Sequence, residues 1–217
     1  MKRAVEFIVL ATTKVGDSSI VIHSLSAEYG RKSFIVNATR GSRSTLYQPF
    51  AILEGEVSES TRSELWRVAS CHASHALGSI RTDLDKTALT MFMSEVLYRC
   101  LHDGEGDEAL YLWCKENILL LDALEEGFAS FHLQFLAGLC RMMGFAPSIT
   151  DLAPFAGERL EDLKALLSLQ PADFLIYPLS GNKRGEIASI LIEYLSYHIG
   201  ARLNIRSLAV LSEIYKD

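Results

Sequence analysis

The chain has 217 residues, 49% of them apolar and 22% charged, with 27 acidic against 21 basic side chains. That is enough apolar material for one real core or two small ones, and the composition excludes a disordered or collagen-like chain. A formal net charge of −6 argues against a protein whose whole surface binds nucleic acid.

No apolar run approaches the roughly 18–20 residues of a membrane span. The opening MKRAVEFIVLATT is interrupted by Glu6 and shows no clean cleavage site, so no signal peptide is expected. Cys71, Cys100, Cys114 and Cys140 form no CxxC pair. The last three fall among apolar helical positions, where cysteine packs as a small hydrophobe. These features predict a soluble protein of the reducing cytoplasm.

The first 70 residues read as short extended runs divided by turns. VEFIVLAT (5–12) is followed by a turn at Gly16-Asp17, then SSIVIHSL (18–25) and a turn at Tyr29-Gly30. RKSFIVNA (31–38) alternates, with Phe34, Val36 and Ala38 on one face and Ser33, Ile35 and Asn37 on the other. FAILEGEV (50–57) sets Ile52 opposite Ala51, Leu53 and Val57, and ELWRVAS (64–70) is the fifth run. Five short strands in this span suit a small OB-fold barrel.

From about residue 83 the apolar period becomes helical. Leu89, Phe92, Val96 and Cys100 mark one helix ending near His102. DGEGDE (103–108) breaks the chain, with Asp107 placed to cap a second helix that turns Leu110, Trp113 or Cys114, and Leu121 inward. Phe128, Phe131, Phe135 and Leu139 define a third, stopped at Gly144-Phe145-Ala146-Pro147. Residues 146–180 carry Pro147, Pro154, Pro171 and Pro178 and read as irregular, with a short helix at 159–169. Ile187, Ile190, Leu191 and Tyr194 mark a further helix, and Ser207–Tyr215 a last one. Strands first and helices second give an α+β chain: an N-terminal five-stranded OB-fold barrel (1–80) followed by an all-helical domain (81–217).

Charge divides at the same boundary. Residues 1–80 hold nine Lys/Arg against seven Asp/Glu, and the remainder twelve against twenty. The acidity therefore belongs to the helical part, which restores a nucleic-acid reading for the barrel.

Several patterns with chemical meaning fail on inspection. Cys71, His72 and His75 of CHASH contain an HxxH without a neighbouring Glu, and the remaining cysteines lie far along helices, so a strand-to-linker segment is the expectation and no metal is assigned. DGEGDE begins like a calcium loop, but Glu108 stands at its sixth position and Cys114 at its twelfth, where Gly and Glu are needed. There is no GxSxG, P-loop or GxGxxG, and the histidines at 23, 72, 75, 102, 132 and 198 have no evident partner. No enzyme, and no cofactor, is expected.

The basic residues of the barrel leave two readings open. Arg31 and Lys32 begin the third strand, and Arg40 and Arg43 lie on the long connection to the fourth. Such a connection is either an ordinary solvated loop or one that lies over the barrel and grips phosphates. Lys2, Arg3 and Lys14 extend the patch only if the fold places them on the same side. Lys183 and Arg184 open a helix, capped by Asn182 or Ser180, where an anion would be favoured.

Over most of its length the chain resembles the RecO family of bacterial DNA repair and recombination mediators. The barrel motifs are Val15-Gly16-Asp17, Tyr29-Gly30-Arg31-Lys32, Arg40, Arg43-Ser44, Leu46 and Gln48-Pro49-Phe50. DLDKTALTMFMSEVLYRCL, FASFHLQFLAGLCRMMGFAP and ASILIEYLSYHIGARLNIRSLAVLSEIY resemble the family's long helices in the same order. Many family members carry a four-cysteine zinc module after the Gly-aromatic-x-Pro stop. This chain has no cysteine after Cys140, so it resembles the zinc-less branch, with 146–180 in place of the module.

The resemblance implies a protein that makes and breaks no bonds. It would bind single- and double-stranded DNA, anneal complementary strands and help load RecA onto DNA coated by single-strand-binding protein. Its partners would be RecR and the acidic C-terminal tail of the single-strand-binding protein, with RecA engaged indirectly, in the nucleoid-associated cytoplasm and away from membranes. The DNA-contacting residues would be Arg31, Lys32, Arg40 and Arg43, with Lys2, Arg3 and Lys14 at the margin, and Lys183 and Arg184 would meet the tail. The rival reading is an OB-fold protein-interaction adaptor without direct DNA binding.

Overall fold

The computed structural model of the chain describes residues 2–16, 18–37, 45–59, 65–104 and 106–215. Asp17, Ala38, Glu64 and Glu105, which the sequence reading uses in turns and strand ends, lie outside the described residues. The chain divides into two compact units, Met1–Gly78 with Leu101–Leu119, and Ser79–Cys100 with Leu120–Asp217.

In the first unit, β1 (Lys2–Val15), β2 (Ser19–Ser26), β3 (Gly30–Asn37), β4 (Ile52–Ser58) and β5 (Trp66–Ala73) close a barrel in the order β1-β2-β3-β5-β4. This is the five-stranded OB-fold arrangement expected from the sequence. Closure rests on β1, whose first half pairs with β4 and whose second half pairs with β2, with a bulge between Val9 and Ala11 that bends it. The parallel β3–β5 pairing, Phe34 with Trp66 and Ile35 with Arg67, seals the last gap.

Alternation puts Val5, Phe7, Val9, Ile22, Phe34, Val36, Leu53, Val57 and Val68 inside. Gly55 sits where β4 meets an irregularity in its pairing with β5, and a Cβ there would lie 2.8 Å from Val68 Cγ1 and 2.9 Å from the Ser70 carbonyl oxygen. Only glycine fits that approach.

The Gln48-Pro49-Phe50 stretch restarts the barrel through β1's bulge. The Phe50 N–H donates to the Val9 carbonyl at 2.8 Å, and the Val9 N–H donates to the Ala51 carbonyl at 2.9 Å. Phe50 adopts a left-handed backbone (φ 60°) with its ring fully buried. Burying that ring, at about 2–3 kcal/mol, outweighs the roughly 1–2 kcal/mol cost of the backbone state.

Among the described residues, the helices are α1 (Gly78–Thr82), α2 (Leu84–Cys100), α3 (Glu108–Ala123), α4 (Phe131–Met142), α5 (Ile149–Ala156), α6 (Leu160–Ser168), α7 (Pro171–Ile176), α8 (Gly181–Ile199) and α9 (Ser207–Ile214), with a 3-10 turn at Gly157–Arg159. Asp107 caps α3 as expected, accepting from the Leu110 N–H at 2.9 Å, and Cys114 rather than Trp113 takes the fully buried position. Leu101–Leu119 therefore travels with the barrel, although it follows residue 80: Glu6 of β1 accepts hydrogen bonds from the Tyr111 hydroxyl at 2.7 Å and the Lys115 ammonium at 2.6 Å.

Residues 146–180 are not irregular. They form α5, α6 and α7 around buried Leu152, Ala156, Leu163, Leu166 and Phe174. The prolines punctuate these helices instead of abolishing them: Pro147 precedes the Ser148 cap, Pro171 occupies the first turn of α7 and Pro178 follows its end. Phe128 lies before α4, which starts at Phe131. Among the described residues, no helix is long and apolar enough to cross a membrane.

Candidate nucleic-acid interface

The inward register of the barrel strands runs one rung past the closed core at one end, and there it becomes polar and aromatic. Arg3 continues the Val5–Phe7–Val9 row of β1, Lys32 continues the Phe34–Val36 row of β3, and Trp66 precedes Val68 on β5. Tyr29 joins them from the β2–β3 turn. The Lys32 ammonium lies 4.8 Å from the Trp66 ring centroid. Tyr29 and Trp66 meet edge-on at 4.9 Å and 75°, and the Arg3 guanidinium donates to the Tyr29 hydroxyl at 3.4 Å. The hydrogen bond to Tyr29 raises the Arg3 pKa above its ordinary value, so this cation stays charged. The four side chains form a continuous rim, Arg3–Tyr29–Trp66–Lys32.

This rim gathers two of the sequence-predicted cations and leaves others elsewhere. Arg31 lies on the opposite register, where its Nη1 donates to the Leu101 carbonyl at 2.6 Å and its Nε stands 3.6 Å from Asp103 Oδ1. Only 20% of its side chain is exposed. It braces the Leu101–Asp103 stretch, and Gly106 close by passes so near the Ala27 and Glu28 carbonyls that no Cβ would fit. That stretch in turn backs the turn carrying Tyr29. Lys2 also faces outward and pairs with Glu56 at 2.9 Å. Lys14 is exposed beside the β1–β2 turn, at the other end of β1 from Arg3. Arg40, Arg43 and Ser44 lie outside the described residues.

Tyr29 and Trp66 carry no charge, so a charge-based reading of the sequence does not single them out. Their signal is present, since Tyr29 shortly precedes Arg31 and Lys32 and Trp66 precedes Arg67. Arg67, exposed on β5, donates to Asn37 Oδ1 at 3.2 Å, next to a pocket of about 240 Å³ that Tyr47 and Ser70 help to line. Asn37 immediately precedes the connection that carries Arg40 and Arg43.

β5 extends through Cys71, His72 and Ala73, three residues beyond its expected end, because these pair with Gly55, Glu54 and Leu53. Strand alternation then separates the CHASH ligands: Cys71 packs against the barrel core while His72 points out, 3.8 Å from Glu54. Among the described residues, no group of three or more His, Cys, Asp or Glu side chains is placed to hold a metal.

In the second unit, Ser180 caps α8 by accepting from the Lys183 N–H, so the capping residue is Ser180 and not Asn182. Lys183 is tied to Asp162 at 3.1 Å, and Arg184 donates to the Leu179 carbonyl at 2.5 Å with its guanidinium 5.2 Å from the Tyr215 ring. Both are engaged within the unit. A groove of about 590 Å³ opens instead beside the C-terminal half of α8, lined by Ile192, Glu193, Arg202, Leu203, Ile205 and Leu208.

Residues 1–76 match the family model described as Recombination protein O N terminal, and residues 81–154 the one described as Recombination protein O C terminal. Over 236 aligned positions the chain is 29% identical to the DNA repair protein RecO of Bacteroides fragilis, covering 96% of this chain and 97% of that protein. Identity is 25% over 233 positions to the RecO protein of Phocaeicola vulgatus and 26% over 231 to that of Flavobacterium psychrophilum, with the same coverage.

Proposed function

This chain belongs to the RecO family of recombination and DNA repair proteins, and from that premise we propose that its barrel binds DNA. It would bind single and double strands, anneal complementary strands and, together with RecR, assist the loading of RecA onto DNA coated by single-strand-binding protein. The observation that carries this reading is the barrel rim, where Arg3 and Lys32 lie beside two partly exposed aromatic rings. Cations neutralise phosphates and aromatic faces accept bases, the pairing that single-strand binders use.

Arg3 and Lys32 are the phosphate contacts of this proposal, joined by Arg67 and by Arg40 and Arg43 of the adjoining connection. Lys2, held by Glu56, and Lys14 contribute less. Arg31 acts as a brace for the Tyr29 turn. The work is electrostatic and mechanical, so no catalytic residue is assigned. For the acidic tail of the single-strand-binding protein, the groove beside α8 offers apolar walls and Arg202.

The test is DNA binding and strand annealing across a salt series, with and without single-strand-binding protein. Affinity for unrelated sequences should fall steeply with salt, and Arg3→Ala with Lys32→Ala should shallow the log–log slope by about 2. An unchanged slope removes these residues from the site. No gel shift at low salt, alongside salt-insensitive binding of a protein partner, would instead establish the adaptor.

A further inference from the structure

We infer that Trp66 is a stacking platform for one unpaired base, held in the free protein by the Lys32 ammonium, which the base displaces. This rests on the barrel binding DNA and goes further by naming what the rim selects: an unpaired base of a single strand.

Three observations lead there. Trp66 lies on the inward register, paired in register with Phe34, yet it is packed against the core and only partly buried, so part of the indole stays accessible. Tyr29 packs against the indole at 4.9 Å and 75°, so the ring is oriented before any ligand arrives. The Lys32 ammonium lies 4.8 Å from the ring centroid, within the distance at which a cation is drawn to an aromatic face.

The two occupants of that face are not equal. A partly exposed cation–π contact is weak, whereas stacking a base is the stronger interaction by alanine substitution. A base arriving on Trp66 therefore displaces the ammonium, and the four-carbon stem of Lys32 lets it swing to the phosphate of the same nucleotide. Arg3, anchored on Tyr29, is placed for a neighbouring phosphate. In a duplex both faces of each base are already stacked, so only the phosphate contacts remain. The rim thus binds either form of DNA electrostatically but prefers the single strand through Trp66.

The test uses the full chain, with poly-dT and a duplex of equal length as probes and inorganic polyphosphate as a probe of backbone charge alone. Trp66→Ala should lower the ratio of single- to double-strand affinity by roughly five- to 150-fold, while leaving the salt slope in place. Trp66→Phe, which keeps a ring on the core, should retain most of that ratio and controls for folding. In a Trp113→Phe background, poly-dT should quench the remaining indole emission and polyphosphate should not. Equal losses on both DNA forms, or quenching by polyphosphate as strong as by poly-dT, would overturn the platform while leaving DNA binding by the barrel intact. A wild-type chain that binds neither DNA form would overturn the function proposed above instead.

Discussion

The rim of the barrel and the basic start of α8 each hold two cations, yet they differ in what those cations face. At the rim, Arg3 and Lys32 touch an aromatic hydroxyl and an aromatic ring, groups that carry no formal charge. At α8, Lys183 faces the Asp162 carboxylate and Arg184 a backbone carbonyl, and Arg159 also reaches Asp162, at 3.2 Å. A cation already matched to a full negative charge has little left for a ligand, while one resting on a π-face exchanges partners at small cost. The contrast is sharpest between Lys32 and Lys183, because Arg184 also rests on a carbonyl and the Tyr215 ring.

The second unit also holds a cation engaged wholly within the fold, Lys86, which is 1% exposed on α2. Its ammonium donates to Ser79 Oγ at 2.6 Å, to the Asp122 carbonyl at 3.2 Å and to the Leu124 carbonyl, beneath the Phe128 ring. It serves as a tertiary cap on the C-terminal end of α3, where unpaired carbonyls collect partial negative charge. Lys86→Met keeps the volume and strips those acceptors of their donor. It should destabilise the protein by about 3 kcal/mol in denaturant unfolding, the largest single effect expected here. A loss below about 1 kcal/mol would show that water replaces the ammonium and that burial, not matching, distinguishes the two regions.

Lys86 also marks where sequence reading stops. The barrel was legible because strand alternation and turn residues are local, and so was the end of α4, where the Phe145 N–H returns to the Cys140 carbonyl at 2.9 Å. What was illegible depends on residues far apart in the chain. A lysine in an apolar helix gives no hint that the end of another helix awaits it. Nor does the α9 sequence reveal that Glu95, 112 residues earlier, accepts from the Ser207 N–H and hydroxyl in place of a local cap. At the site, net charge by segment located the basic unit, but strand parity was needed to send Arg3 and Lys32 to the rim and Arg31 and Lys2 away from it. The helices of 146–180 were obscured by reading four prolines as breakers when three of them mark helix boundaries.

A smaller effect tests how the barrel holds its own helix. Burial pushes the Glu6 carboxyl pKa up, but hydrogen bonds from Lys115, Tyr111 and Ser74 outweigh this and leave it below the ordinary glutamate value. A carboxylate depressed in the folded state contributes stability above its unfolded pKa and loses that contribution as pH falls through the folded one. Wild type should therefore melt a few degrees above Glu6→Gln at pH 7, and the gap should close as pH drops below about 4. A gap that persists undiminished to pH 2 would assign the effect to packing around Tyr111 instead of charge.

The smallest effect bears most directly on the contrast between the rim and α8. Lys183 is 42% exposed, and its removal leaves Asp162 still paired with Arg159. Lys183→Ala should accordingly cost no more than about 0.5 kcal/mol of stability. If α8's first turn is a structural pairing, the same variant should also bind an acidic peptide with an apolar C-terminus within twofold of wild type. Arg202→Glu, in the groove on the other half of the helix, should weaken that peptide about tenfold by placing a second carboxylate beside Glu193. Fluorescence anisotropy with a labelled peptide measures both. A large loss at Lys183 with none at Arg202 would reverse the assignment, because a cation matched within the fold would then have proved the one that meets the ligand.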